Sequence, residues 1–183
     1  TKTFSEIKSY IPTTEVPNYI FRNNHDLTFD KKMTAWGLDD LINTNGASYG
    51  DLDGDGDLDL VLNNLDQLAT IYRNNLMEQG PENKHYLEVR LKGSQQNVFG
   101  QGAKVSLKVK QDTYYNELTT TRGFQSSVAP VLHFGLGANS VIDELLIQWP
   151  DGKEQIIKNV KADQILSVDY VNAKENKSKP GNI

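Results

Sequence analysis

The sequence contains no cysteine, so disulfide staples and thiolate metal ligands are excluded and pairing leaves no trace of a redox compartment. No run approaches the roughly 20 apolar residues needed to cross a bilayer as a helix. A basic block is missing too. The 19 lysines and arginines are scattered against 24 aspartates and glutamates, for a net charge of −5, a balance that repels nucleic-acid phosphates. Neither an initiator methionine nor a charged-then-apolar leader opens the chain at Thr1, so the expectation is a leader removed or left outside this stretch.

What is present is the composition of a globular protein, 183 residues with 37% hydrophobic and 23% charged. That length suits one ordinary domain or two small ones, and the patterning favours two. An internal repeat comes first. Asn18-Tyr19-Ile20-Phe21-Arg22-Asn23-Asn24 returns as Ala69-Thr70-Ile71-Tyr72-Arg73-Asn74-Asn75, a shift of 51 residues, close to the length of a four-stranded propeller blade. The same shift carries Asp53, Asp55, Asp57 and Asp59 onto Lys2, Phe4, Glu6 and Lys8, so the acidic stretch is not repeated and the first copy is incomplete. Ser5 to Tyr10 reads as a short helical or irregular lead-in punctuated by Pro12 and Pro17.

Residues 76 to 84 lapse into polar and turn-forming types, which marks a boundary. Beyond it the hydrophobic period is two, with Leu87, Val89 and Leu91, then Val105, Leu107 and Val109, then Leu166, Val168 and Tyr170 alternating with polar neighbours. Further strands are predicted over 114–121, 131–134, 142–149 and 154–158, and over the apolar run 58–62. About seven short strands with no long helical pattern predict an antiparallel sandwich or barrel-like domain. The predicted organisation is a lead-in over 1–16, a repeat region over 17–80, a β domain over 81–171 and a polar, frayed tail over 172–183.

The segment Gly50-Asp51-Leu52-Asp53-Gly54-Asp55-Gly56-Asp57-Leu58-Asp59 holds five carboxylates on alternate positions. Such crowding raises carboxyl pKa values unless a positive charge sits among them. A calcium ion takes six to eight oxygens, and acidic oxygens at positions 1, 3 and 5, glycine at 6 and a carbonyl at 7 form the EF-hand arrangement. Here those positions are Asp51, Asp53, Asp55, Gly56 and Asp57, with Asp59 at position 9. Position 12, a bidentate Glu in an EF-hand, is Leu62 within a strand-like run. The loop therefore reads as a structural Ca²⁺ site feeding a strand, without the helical lever of a sensor. The rival readings are a metal-free Asp/Gly turn and a carboxylate pair of glycosidase type, which needs two carboxyls in different electrostatic environments, whereas five on one short loop share one.

With its flanks, Asn45 to Val61, this loop resembles the FG-GAP or VCBS repeat of integrin-like β-propellers, and the Tyr-Arg-Asn-Asn segment is similar to the continuation of that repeat. The resemblance implies side-chain ligation of calcium by Asp51, Asp53, Asp55 and Asp59 and carbonyl ligation by Asp57. The second half resembles the ASPIC/UnbV domain, which follows such repeats in the cartilage acidic protein family and in bacterial surface proteins. The matching residues are Gly100-Gln101-Gly102-Ala103-Lys104-Val105, Arg122-Gly123-Phe124-Gln125-Ser126-Ser127, Leu132-His133-Phe134-Gly135-Leu136-Gly137 and Trp149-Pro150-Asp151-Gly152. It departs at Gln125-Ser126-Ser127, where Ser-Gln is expected, and it brings no catalytic residues.

Other residues invite functional readings. His133 reads as a structural hydrogen-bonding group, since neither His25 nor His85 stands in a ligand spacing with it. Ser126 and Ser127 lack the G-x-S-x-G elbow of a hydrolase. Trp149 and Phe124 are expected in the core, whereas of the adjacent Tyr114 and Tyr115 only one can point inward, leaving the other as a sugar-stacking candidate. The expectation is an all-β chain, partial propeller blades followed by a sandwich or barrel-like domain. It is read as a non-enzymatic calcium-binding module at an extracellular or outer-membrane surface, lipid-anchored in some relatives of this kind and continued by the remaining blades of a longer protein. The expected partner is a carbohydrate or a surface or matrix protein.

Overall fold

The structure, a computed structural model, describes residues 3–8, 10, 16–65 and 67–175. Pro12 of the lead-in and residues 176–183 of the polar tail lie outside them. Among the described residues strands dominate, beside one short helix, α1 (Phe4–Lys8), and several single 3-10 turns. The chain divides into two compact units, Thr1–Ala47 with Val61–Ile71, and Ser48–Leu60 with Tyr72–Ile183.

The first unit carries the hairpin of β1 (Phe21–Asn23) and β2 (Phe29–Lys31), antiparallel with Phe21 opposite Lys31 and Asn23 opposite Phe29. Its small core is Leu38, Ile42 and Leu62. A chain of polar side chains accompanies it: Asn18 Nδ2 donates to Thr44 Oγ1 at 2.9 Å, Thr44 Oγ1 to Asn64 Oδ1 at 3.0 Å, and Asn64 Nδ2 to Thr70 Oγ1 at 2.8 Å. The buried Asn64 and the half-buried Asn18, Thr44 and Thr70 thus partner one another, which offsets the cost of withdrawing these groups from water. Three further strands, β3 (Thr44–Gly50), β4 (Asp59–Asn64) and β5 (Thr70–Tyr72), form a sheet in the order β3-β4-β5. Each copy of the repeat contains a short strand, with Phe21 on β1 and Tyr72 on β5.

The second unit is built from β6 (His85–Lys92), β7 (Lys104–Val109), β8 (Asp112–Glu117), β9 (Val131–Gly137), β10 (Val141–Gln148), β11 (Glu154–Lys161) and β12 (Gln164–Asp169). One sheet runs β11-β10-β7-β8 and another β12-β6-β9. Apolar residues of both sheets meet in one cluster, including Leu87 and Val89 of β6, Leu132 and Phe134 of β9, Leu107 of β7, and Leu145 and Ile147 of β10. This is the consequence of the period-two pattern: each strand turns one face inward and removes its apolar side chains from water. The sheets do not close into a barrel. Nor are they wholly antiparallel, because β12 pairs with β6 in parallel, Leu166 opposite Val89. A parallel neighbour requires a long crossover, and the chain between β6 and β12 supplies it by building the other sheet and adding β9 to this one.

Two of the sequence motifs shape turns. Trp149-Pro150-Asp151-Gly152 connects β10 to β11, closed by the Trp149 N–H on the Lys153 carbonyl at 2.8 Å. Trp149 itself is only 3% exposed and stands edge-on to Tyr170, centroids 5.2 Å apart. Gly100, with φ 69°, backs onto it, and a Cβ there would lie 3.0 Å from Trp149 Cζ3. Phe124 departs from the expected core position and is 62% exposed. The chain reverses beneath it, with the Arg122 N–H on the Ser126 carbonyl at 2.9 Å, which places the ring at a turn tip. Tyr114 packs against the core and Tyr115 faces out, as strand alternation demands.

Candidate metal centre

The acidic loop occupies residues 51–58, between β3 and β4, and it folds around its own carboxylates. Both oxygens of Asp51 accept backbone N–H groups, Oδ1 from Gly54 at 2.7 Å and Oδ2 from Gly56 at 3.0 Å. Asp55 Oδ1 accepts from the Asp57 N–H at 3.0 Å. Asp59 closes the loop by accepting the Leu52 N–H at 2.9 Å on one oxygen and the Asn74 N–H at 2.9 Å on the other. Gly54 and Gly56 take φ of 78° and 97°, a left-handed curl that a Cβ would strain.

The structure brings carboxylate oxygens of Asp51, Asp53 and Asp59 within 4.8 Å of one another. Asp55 and Asp57 stand beside them on the same loop but outside that trio. Asp57 is only 4% exposed; its Oδ2 accepts the Met77 N–H at 3.0 Å, whereas its Oδ1 is buried with no hydrogen-bond partner, as is Asp55 Oδ2. Burial pushes the Asp57 carboxyl up from the usual range, and the charges of Asp55 and Asp59 add to it. Among the described residues, Arg73 pairs with the loop: its Nε lies 2.6 Å from Asp53 Oδ2, and its Nη2 lies 4.0 Å from Asp55 Oδ2 and 2.6 Å from Glu78 Oε1. One guanidinium shared among three carboxylates leaves the loop with a large excess of negative charge.

Arg73 and Asn74 belong to the repeated Tyr-Arg-Asn-Asn motif, and here their work is visible: Arg73 counters Asp53, and Asn74 gives its N–H to Asp59. In the first copy, which lacks an acidic loop, Asn24 instead bonds Thr28 and Asp30 across a hairpin. Sequence reasoning missed the part of Tyr86 and His133. A Cβ on Gly56 would lie 2.1 Å from Tyr86 Cε1, the Tyr86 and His133 rings stack 5.9 Å apart and 4° from parallel, and His133 Nε2 lies 3.0 Å from the Gly56 carbonyl. The hydrogen-bonding role expected of His133 is thus present, and its partner is the loop. Ser126 Oγ is turned to the Phe124 carbonyl, away from any pairing with His133.

These features define a strand-built chain whose second unit carries an acidic, glycine-hinged loop, and within it residues 93–175 match the family described as ASPIC and UnbV. The segment contains the Arg122-Gly123-Phe124, Leu132-His133-Phe134-Gly135 and Trp149-Pro150-Asp151-Gly152 motifs. The chain is similar to cartilage acidic protein 1 of Xenopus tropicalis, 30% identical over 141 residues, which are 75% of this chain and 21% of that protein. It is also similar to the Homo sapiens protein of the same name, 33% identical over 127 residues, 67% of this chain and 18% of that one. The chain therefore spans about a fifth of the length of the curated relatives it matches.

Proposed function

We propose that residues 51–59 bind a structural Ca²⁺ ion and that the chain is a calcium-stabilised, non-enzymatic binding module working outside the cytosol. The observation that carries this is the convergence of Asp51, Asp53 and Asp59 carboxylate oxygens within 4.8 Å of one another, beside Asp55 Oδ2, a buried carboxylate oxygen of the same loop with no hydrogen-bond partner. An ionised carboxylate buried this way is costly unless a charge or a set of donors meets it. The donor set is all oxygen and carboxylate-rich, which suits a hard cation of variable coordination, and Ca²⁺ accepts more ligands at looser geometry than Mg²⁺. Asp51, Asp53, Asp55 and Asp59 would offer side chains and Asp57 its carbonyl. The ion would supply counter-charge and a crosslink, and no reaction step.

The loop and the Arg-Asn-Asn segment behind it favour reading residues 17–80 as an FG-GAP/VCBS-type repeat region ahead of an ASPIC/UnbV-like domain, and the further blades as belonging to a longer parent chain. The shared name of the relatives, cartilage acidic protein 1, supports an extracellular setting, where calcium is plentiful. For the partner, a carbohydrate is favoured by outward Tyr115, 59% exposed on the edge strand β8, since a flat ring with a polar tip suits a pyranose face.

The test is isothermal calorimetry with calcium chloride on chelator-treated protein, paired with a thermal melt. A specific site gives saturable heat and a melting temperature that climbs as free calcium passes Kd. An unmoved melt and no heat at millimolar calcium would sink the reading. A glycan array with the wild type and Tyr115→Ala tests the partner: glycan signals lost in the variant support a sugar, whereas an array without signal supports a protein partner.

A further inference from the structure

We infer that His133 and Tyr86 are positioning residues for the loop, so that cation occupancy at residues 51–59 is energetically coupled to the β6–β9 strand pair of the second unit. The inference rests on the calcium reading above and concerns what sets the affinity of that site.

The coupling is carried by one peptide unit. The Gly56 carbonyl faces His133 Nε2 at 3.0 Å, and because a carbonyl can only accept, the histidine must carry its proton on Nε2. On the other side of the same peptide, the Asp57 N–H donates to Asp55 Oδ1 at 3.0 Å. The plane between Gly56 and Asp57 is therefore held at both ends, and with it the course of the chain into Asp57, the residue whose buried Oδ1 has no partner. Tyr86 sets the distance. Its ring lies where a Gly56 side chain would be, so the glycine backbone rests against the stacked pair of rings.

Both rings come from neighbouring strands: β6 and β9 pair with Tyr86 opposite Gly135 and Glu88 opposite His133. Tyr86, Glu88 and His133 thus share the face of this sheet that does not point into the core, the face that sequence alternation assigns to solvent. Glu88 is nonetheless buried. Leu87, Val89, Leu132 and Phe134, on the opposite face of the same strands, are core residues. Fixing the loop therefore restrains the strands that carry the core, and unfolding those strands would release the loop. Linkage makes the effect reciprocal: whatever the strands add to calcium affinity, calcium returns as protection of the strands.

The experiment measures calcium Kd by calorimetry on the full 183-residue chain for wild type, His133→Phe and His133→Gln, each checked for folded circular dichroism. Phenylalanine keeps a ring on Tyr86 and removes the donor; glutamine restores a donor of similar reach. The expected result is Kd weakened about tenfold in His133→Phe, the worth of roughly one hydrogen bond, with most of the loss recovered in His133→Gln. In parallel, hydrogen exchange of the wild type is expected to slow at residues 86–89 and 132–135 on adding calcium chloride, a readout independent of any variant's folding. Wild-type binding with an unchanged Kd in His133→Phe and unchanged exchange overturns the coupling and leaves the calcium site standing. No heat with the wild type overturns the calcium site and the coupling with it.

Discussion

At the scale of single residues, the loop behaves as a store of like charge that one arginine only partly offsets. Asp57 is the sharpest case, because burial raises its pKa and its neighbours raise it further. A carboxyl whose folded pKa exceeds its unfolded value lowers stability as pH rises through that interval, since the native state then holds more protons than the unfolded one. Asp57→Asn is accordingly expected to raise the melting temperature of chelator-treated protein at pH 7 while keeping most of the calcium-dependent increment, since Asp57 is assigned to the ion through its carbonyl, and melts with and without calcium check both. Arg73 works in the opposite direction. Replacing it by glutamine removes a cation 2.6 Å from Asp53, which is expected to lower the melting temperature in chelator and to tighten calcium binding several-fold, about the effect of removing one nearby like charge at a partly exposed site. Calorimetry that found weaker binding would assign Arg73 to shaping the site, with no competition against the ion.

At the scale of elements, the sheet β11-β10-β7-β8 and the sheet β12-β6-β9 share one apolar cluster, and their inward residues carry the stability. Leu145 of β10 is fully buried between Leu107 of β7 and Ile157 of β11 in the strand register. Leu145→Ala is expected to cost about 2–5 kcal/mol, the transfer loss plus the cavity, measurable as a lowered midpoint in urea. Tyr115→Ala, at an outward position of edge strand β8, should move that midpoint by less than about 0.5 kcal/mol, so any loss of ligand binding in that variant would report on contact and not on folding. These strands were legible because alternation is a local property: Val105, Leu107 and Val109 announce their face without knowledge of any partner. The pairing was not legible. Nothing in Leu166 or Val168 says that β12 lies parallel to β6, since that choice is made by how the intervening strands β7 to β11 are shared between the two sheets. Phe124 was misplaced for a related reason, because hydrophobicity argues for burial while the reversal at Arg122 and Ser126 sets it at a tip.

At the scale of the whole chain, the loop falls in the second unit, which takes Ser48–Leu60 together with Tyr72–Ile183. Calcium should therefore stabilise more than its own loop. Calcium at 100 times Kd is worth about 2.7 kcal/mol to a state that binds it exclusively, which for a chain of this size corresponds to a melting shift of roughly 5–10 °C. A scan in calcium against one in chelator checks this, and a shift confined to one of two separate transitions would show which unit holds the ion.

The sequence by itself determined the all-β character, the position of the acidic loop and the likeness of the second half to ASPIC/UnbV domains, because residue period, carboxylate spacing and motif order are written along the chain. Only the tertiary structure decided which carboxylates converge, that Asp57 is buried with an oxygen left over, and that Gly56 rests on Tyr86 and His133. The last of these depends on a contact between residues 77 positions apart, His133 with Gly56, and no local pattern encodes which distant strand a loop will meet.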